Sequence, residues 1–254
     1  MKRFALVLPF LLLIVSANES LAAEDSLITQ DIAIIKRDYR NFYLDKDNLA
    51  KLGVGIAGAG IFANTSMDGD IQEFYQDNIR GETTDSMSKI LKLPGNVFVT
   101  IPLLFSARIF LKEMPAGKWA QKSLRAIIVG APAGLFIQRA IGASRPSEDD
   151  SKWRPLKDAD GLSGHVFIGA VPFITAAKMN DNPYIKGILY GLSVLPGLSR
   201  INDNKHYFSQ AALGWYLAFL SCSAIEKTES KNRTKFLITP LSGNGVAVFV
   251  GHVF

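Results

Sequence analysis

The sequence predicts an all-α protein: a bundle of about six apolar helices followed by a small C-terminal β-hairpin. Apolar residues make up 48% of the 254-residue chain and charged residues 20%, with a mean hydropathy of +0.16. That is apolar for a soluble domain but low for a chain that is mostly membrane span. The apolar residues fall into six runs of about 12 to 18 residues, lengths that suit helices better than strands. Only the tail differs: two β-prone stretches flank Ser242-Gly243-Asn244-Gly245, a hairpin signature.

Lys2 and Arg3 precede the apolar run Phe4 to Val15, and small residues follow up to Ala22-Ala23 and then Glu24-Asp25. This layout predicts a signal peptide over 1–23, cleaved after Ala22 or Ala23, and hence export to the cell envelope, on the periplasmic side. The alternative is a retained first anchor, although the run is short against the roughly 20 residues of a span. Residues 24–90 read as a polar helical arm (Asp25 to Lys51), a Gly-rich first core helix (Leu49 to Asn64) and a polar surface helix and loop (Ser66 to Lys92). Residues 91–230 form the predicted core, with helices at Val97–Leu111, Leu124–Ile141, Val166–Ala177, Tyr184–Leu198 and Phe208–Ile225. Pro132 interrupts the second of these, and Asn180-Asp181-Asn182-Pro183 separates the third from the fourth. Residues 231–254 carry the hairpin, which contains His252.

A net charge of +5 and a pI near 9.2 are compatible with nucleic acid, anionic lipid or a phosphate substrate. The cations are scattered, without a basic run or zinc-finger spacing, so a nucleic-acid partner is not expected. Cys222 is the single cysteine, which excludes an intrachain disulfide and a cysteine metal cluster.

Chemistry-bearing residues lie at the ends of the predicted helices. Gln138, Arg139 and Arg145-Pro146 follow one helix. Ser163-Gly164-His165 opens the next, with Ser163 as N-cap. The amides of Ser163, Gly164 and His165 there form an expected anion site. Ser199-Arg200 ends the following helix, and His206 precedes the last. If consecutive helices pack antiparallel, all these ends fall on one face. Two arginines offer planar donors to phosphate oxygens, and two histidines can divide the work of nucleophile and general acid.

These motifs resemble the type 2 phosphatidic acid phosphatase family, which shares its fold with vanadium haloperoxidases. Its pattern is Lys-x6-Arg-Pro, Pro-Ser-Gly-His and Ser-Arg-x5-His-x3-Asp; this chain has Gln138-x6-Arg145-Pro146, Leu162-Ser163-Gly164-His165 and Ser199-Arg200-x5-His206-x3-Gln210. The resemblance covers about Leu91 to Ile225 and implies a phosphatase acting on phosphomonoesters or pyrophosphates, of lipids or of small molecules. It implies His206 as nucleophile, His165 as general acid and Gln210 as the residue orienting His206. Arg145, Arg200, Ser163 and Gly164 would bind the phosphoryl group, with Gln138 or Arg139 where the family has lysine. It implies neither metal nor other cofactor. Leu162, Gln138 and Gln210 depart from the pattern. Gln210 supplies no charge to His206, which suggests either reduced turnover or a homologue that binds phosphate or lipid headgroups. Asp203 is the nearest alternative acid, or else a loop surface residue. Trp153 and Arg154 are read as solvated loop, with a place at the substrate entrance as the alternative.

Lys112, Lys118, Lys122, Arg125, Lys178, Lys186, Lys227, Lys231, Arg233 and Lys235 are expected at the opposite end of the bundle. On a spanning protein they would put the motifs outside the cytoplasm. A cleaved signal followed by spans from Leu49 onward gives the reverse. Either the chain is a soluble or peripheral bundle at a membrane surface, or the signal remains as an anchor and Leu49–Asn64 does not span.

Overall fold

The structure is a computed structural model that describes residues 21–148, 150–241 and 245–252, with side chains from 32 to 148 and from 150 to 230. Residues 1–20 of the expected signal peptide lie outside the described residues, as do 242–244 of the hairpin turn and Phe254. Two compact units divide after Lys36. The first is described over 21–36 as helix; the second, 37–254, contains everything below.

Nine helices occur among the described residues: α1 (Leu21–Tyr43), α2 (Lys46–Asn64), α3 (Met67–Asn78), α4 (Glu82–Leu91), α5 (Val97–Phe110), α6 (Pro115–Ile141), α7 (Gly164–Lys178), α8 (Pro183–Asn202) and α9 (Phe208–Arg233). Within the second unit they make an all-α bundle in which the six expected apolar helices are joined by polar ones, α3, α4 and the part of α1 from residue 37 on. Strands β1 (Thr234–Leu241) and β2 (Gly245–His252) pair antiparallel, Thr234 opposite His252.

Helix α6 starts nine residues earlier than expected, at Pro115, which suits a first helical position. It passes through Pro132 and stops at Gly142, whose left-handed φ of 66° suits a residue without Cβ. Between α4 and α5, Leu93-Pro94-Gly95 forms a single 3₁₀ turn, and the two helices bend by 51° there.

The core lies where α6, α7 and α9 meet, with Val129, Ile137, Leu162, Ile174, Leu213 and Leu217 buried. Cys222 is buried among them. Trp153 packs over α2, where a Cβ on Gly60 would come within 2.9 Å of its ring. It is therefore a partly buried packing residue and not solvated loop.

Helices α6 and α9 (over Phe208–Ser230) are long and apolar enough to cross a membrane, and the bent α4–α5 pair passes the same test as one broken span. The outer faces expose large apolar side chains, including Phe98 and Phe110 on α5, Phe136 on α6, and Tyr184 and Ile188 on α8.

Four of the ten cations expected at the opposite end are paired with acids. Arg125 is buried, not surface-facing, and holds Asp38 bidentately at 2.7 and 2.8 Å with Glu229 at 2.5 Å. Lys178 pairs with Glu226, Lys227 with Asp45, and Lys122 with Glu229.

Candidate active site

Three of the four helix ends named from the sequence are linked by two hydrogen bonds. Ser163 N–H donates to the Gln210 carbonyl at 2.9 Å, and the Gln210 side-chain amide donates to the Ser144 carbonyl at 2.6 Å. These bonds connect the start of α7, the first turn of α9 and the loop after α6. The Ser163 amide is thus used within the fold and is not available to an anion, contrary to expectation. The Ser163 side chain caps α7 by accepting from Val166 N–H at 3.4 Å. The first-turn amides of Gly164 and His165 have no acceptor among the described residues, as helix geometry requires of a first turn.

Hydrogen bonds also fix how both histidines carry their protons. Gln210 Oε1 accepts from Tyr207 N–H at 3.1 Å while its NH₂ donates to Ser144, so the amide has one possible orientation. Its oxygen lies 2.9 Å from His206 Nδ1, which must therefore be the donor, leaving the lone pair on Nε2. His165 shows the opposite arrangement. Its Nε2 is 2.7 Å from the Lys92 carbonyl, which can only accept, so Nδ1 is the ring atom left for a reacting group.

His206 is 6% exposed, and burial pushes it down to about 4, with Arg200 and Arg145 lowering it further against the Gln210 bond and Asp160. It is a neutral base at pH 7. Burial also lowers His165, helped by the nearby charges of Arg200 and Lys92 and opposed by the Lys92 carbonyl.

Arg145 pairs with Asp160 at 3.0 Å, and Arg200 approaches Asp203 at 3.7 Å. Burial depresses Arg200, and the nearby Arg145 charge adds to the effect. Both keep a buried Nε–H without a protein partner among the described residues. Buried donors of that strength are normally satisfied, and a tetrahedral anion between them would do so.

Gln138 has a different job from the one expected. Its side-chain amide donates to the Leu162 carbonyl at 2.7 Å, holding the loop before α7 in place. Arg139 is exposed, whereas Arg145 and Arg200 are half-buried. Asp203 is neither an acid for His206 nor a free surface group. Ser88 donates to it at 2.6 Å and Lys92 at 3.3 Å. Burial alone would raise the Asp203 carboxyl, but these bonds and the two cations hold it below the usual carboxylate range.

Sequence reasoning missed the role of α3 and α4. Gln72 and Gln76 donate to the Ile201 carbonyl at 3.2 and 2.9 Å, and Gln72 also holds Asn204 at 2.7 Å. Buried Asp68 accepts from Ser209 N–H and Oγ at 2.9 and 2.5 Å, capping α9 from another helix. Ser88 donates to the Ser199 carbonyl at 3.2 Å. The polar helices therefore clamp the 199–209 segment that carries Arg200 and His206. The only hint in the sequence was the density of hydrogen-bonding side chains in α3.

Among the described residues, no three His, Cys, Asp or Glu side chains converge as metal ligands. No family model matches the chain, and no curated protein does. The chain is similar in fold to the crystal structure of LpxE from Aquifex aeolicus, with a TM-score of 0.52 and 18% identity over 65% of this chain and 98% of that one.

Proposed function

We propose that this protein is a phosphatase that hydrolyses phosphomonoesters or pyrophosphates, with lipids as the carrier of the phosphate, through a phosphohistidine on His206. One observation carries the reading: two guanidiniums with orphaned buried Nε–H groups stand with two histidines whose free ring atoms are complementary. The resemblance of the three motifs and the LpxE-like fold support it. Exposed apolar faces on the helices of the bundle suit a phosphate delivered on an amphiphile. The expected signal peptide supports placing the site on the periplasmic side.

In the first step His206 Nε2 attacks phosphorus and the P–O bond to the leaving group breaks. Protonated His165 gives its Nδ1 proton to the departing oxygen. Water then attacks the phosphohistidine and gives a proton to His165, and the P–N bond breaks, releasing inorganic phosphate and neutral His206. Arg145, Arg200 and the Gly164 amide hold the equatorial oxygens, so catalysis rests on positioning and electrostatic stabilisation.

A second reading, a binding protein for phosphate or lipid headgroups with little turnover, is favoured by Gln210, which orients His206 without charge. Purified protein assayed against lipid and soluble phosphate esters, without added metal, separates the two. The proposal expects release of phosphate that is abolished in His206→Ala. Phosphate binding without release from any ester would instead support the second reading.

A further inference from the structure

We propose that Lys92, at the end of α4, is the third cation of the phosphate site, in the role that Gln138 does not fill. The inference rests on the phosphate-site reading above. Two parts of Lys92 reach the cluster. Its carbonyl accepts from His165 Nε2 at 2.7 Å, and its ammonium lies 3.3 Å from Asp203 Oδ2. Arg200 Nη1 is 3.7 Å from that same carboxylate oxygen. The Lys92 ammonium and the Arg200 guanidinium thus flank one anchor. Ser88 holds that anchor through its other oxygen at 2.6 Å.

Gln138 cannot compete for this role. It is neutral, and its side-chain amide already donates to Leu162 at 2.7 Å. Losing that bond would leave the Leu162 carbonyl unsatisfied at a buried residue.

Charge balance points the same way. Without Lys92 the cluster holds Arg145 and Arg200 against Asp160 and Asp203, so the proton that His165 must carry as general acid is its one excess positive charge. With Lys92 it carries two. A phosphate monoester near neutral pH brings close to two negative charges, so an excess cation favours its entry. Lys92 has a 39% exposed side chain. A flexible stem ending in a compact charge can turn toward an incoming ester. The lowered proton affinity of His165, to which Lys92 contributes, places that charge within electrostatic reach of the site.

The test is equilibrium binding of inorganic phosphate, read together with turnover, in wild type, Lys92→Met, Lys92→Arg and Lys89→Met. The main-chain carbonyl that holds His165 is unchanged in all four. Lys92→Met should weaken phosphate binding about tenfold or more and raise KM by a similar factor, as expected for loss of one charged contact, with kcat changing less. Lys92→Arg should recover most of the loss. Lys89→Met, an exposed lysine nearby on α4, should match wild type. A folded Lys92→Met that binds phosphate as wild type does, or a Lys89→Met loss as large, overturns the inference alone. A wild-type protein that binds no phosphate overturns the site reading and this inference together.

Discussion

Replacing Gln210 with leucine tests how far one amide sets the chemistry of His206. The side chain is 1% exposed and makes three hydrogen bonds: it accepts from His206 Nδ1–H at 2.9 Å and Tyr207 N–H at 3.1 Å, and donates to the Ser144 carbonyl at 2.6 Å. Leucine leaves all three partners unpaired. Orphaned buried polar groups cost about 1–3 kcal/mol each, so a loss of at least roughly 3 kcal/mol in stability is expected. The kinetic effect comes from one of the three. When His206 carries phosphate its ring is cationic, and the bond from Nδ1–H to Gln210 becomes charge-assisted. Such bonds contribute about 1.5–3 kcal/mol, so kcat should fall about tenfold to 150-fold, at 1.36 kcal/mol per decade. The assay is phosphate release at saturating substrate, with thermal unfolding to establish that the variant is folded. A folded Gln210→Leu with wild-type kcat would refute the tautomer argument.

Three further expectations follow from the same geometry. The pH profile of kcat/KM should be bell-shaped and acidic: it rises as His206 loses its proton near 4 and falls as His165 loses the proton it must donate, below the ordinary histidine value of about 6.5. A plateau extending to pH 8 would contradict those roles. Gly95→Ala should cut turnover at least about tenfold, because misplacing a catalytic group by about 1 Å can cost a hundredfold, and a Cβ at Gly95 would collide with the His165 ring and carbonyl; unchanged turnover would show that the α4–α5 elbow does not position His165. Asp38→Ala should destabilise the fold by about 3–5 kcal/mol, since it strips one partner from a buried ion pair; an unchanged unfolding midpoint would show that the pair contributes little.

The apolar helices were legible because their runs are long, nearly continuous and ended by Gly, Pro or Asn. The start of α6 was not, because Pro115 to Gln121 has the composition of a loop. The polar helices α3 and α4 were read as surface because Asp68, Gln72 and Ser88 are ordinarily exposed residue types. Their partners, Ser209, Ile201 and Ser199, lie more than a hundred residues away in the chain. The motif residues at the helix ends were visible as a pattern, but their individual duties were not. Substitution at position 138 suggests a lost cation, whereas the geometry gives a loop clamp. Substitution at 210 suggests a lost charge, whereas the geometry gives an amide whose orientation is forced by two backbone groups. Asp203 is three residues from His206 in sequence, but it serves Arg200 and Lys92, because the loop from Asn202 to Lys205 turns its side chain toward α4.

The most direct test of His206 as nucleophile is to trap the intermediate. Protein mixed with a ³²P-labelled phosphate ester and quenched in alkali, which preserves phosphohistidine, should carry label on the peptide containing His206. The label should be absent from His206→Ala. Turnover by the wild type with no trapped label, or label that persists in His206→Ala, would contradict attack by this side chain.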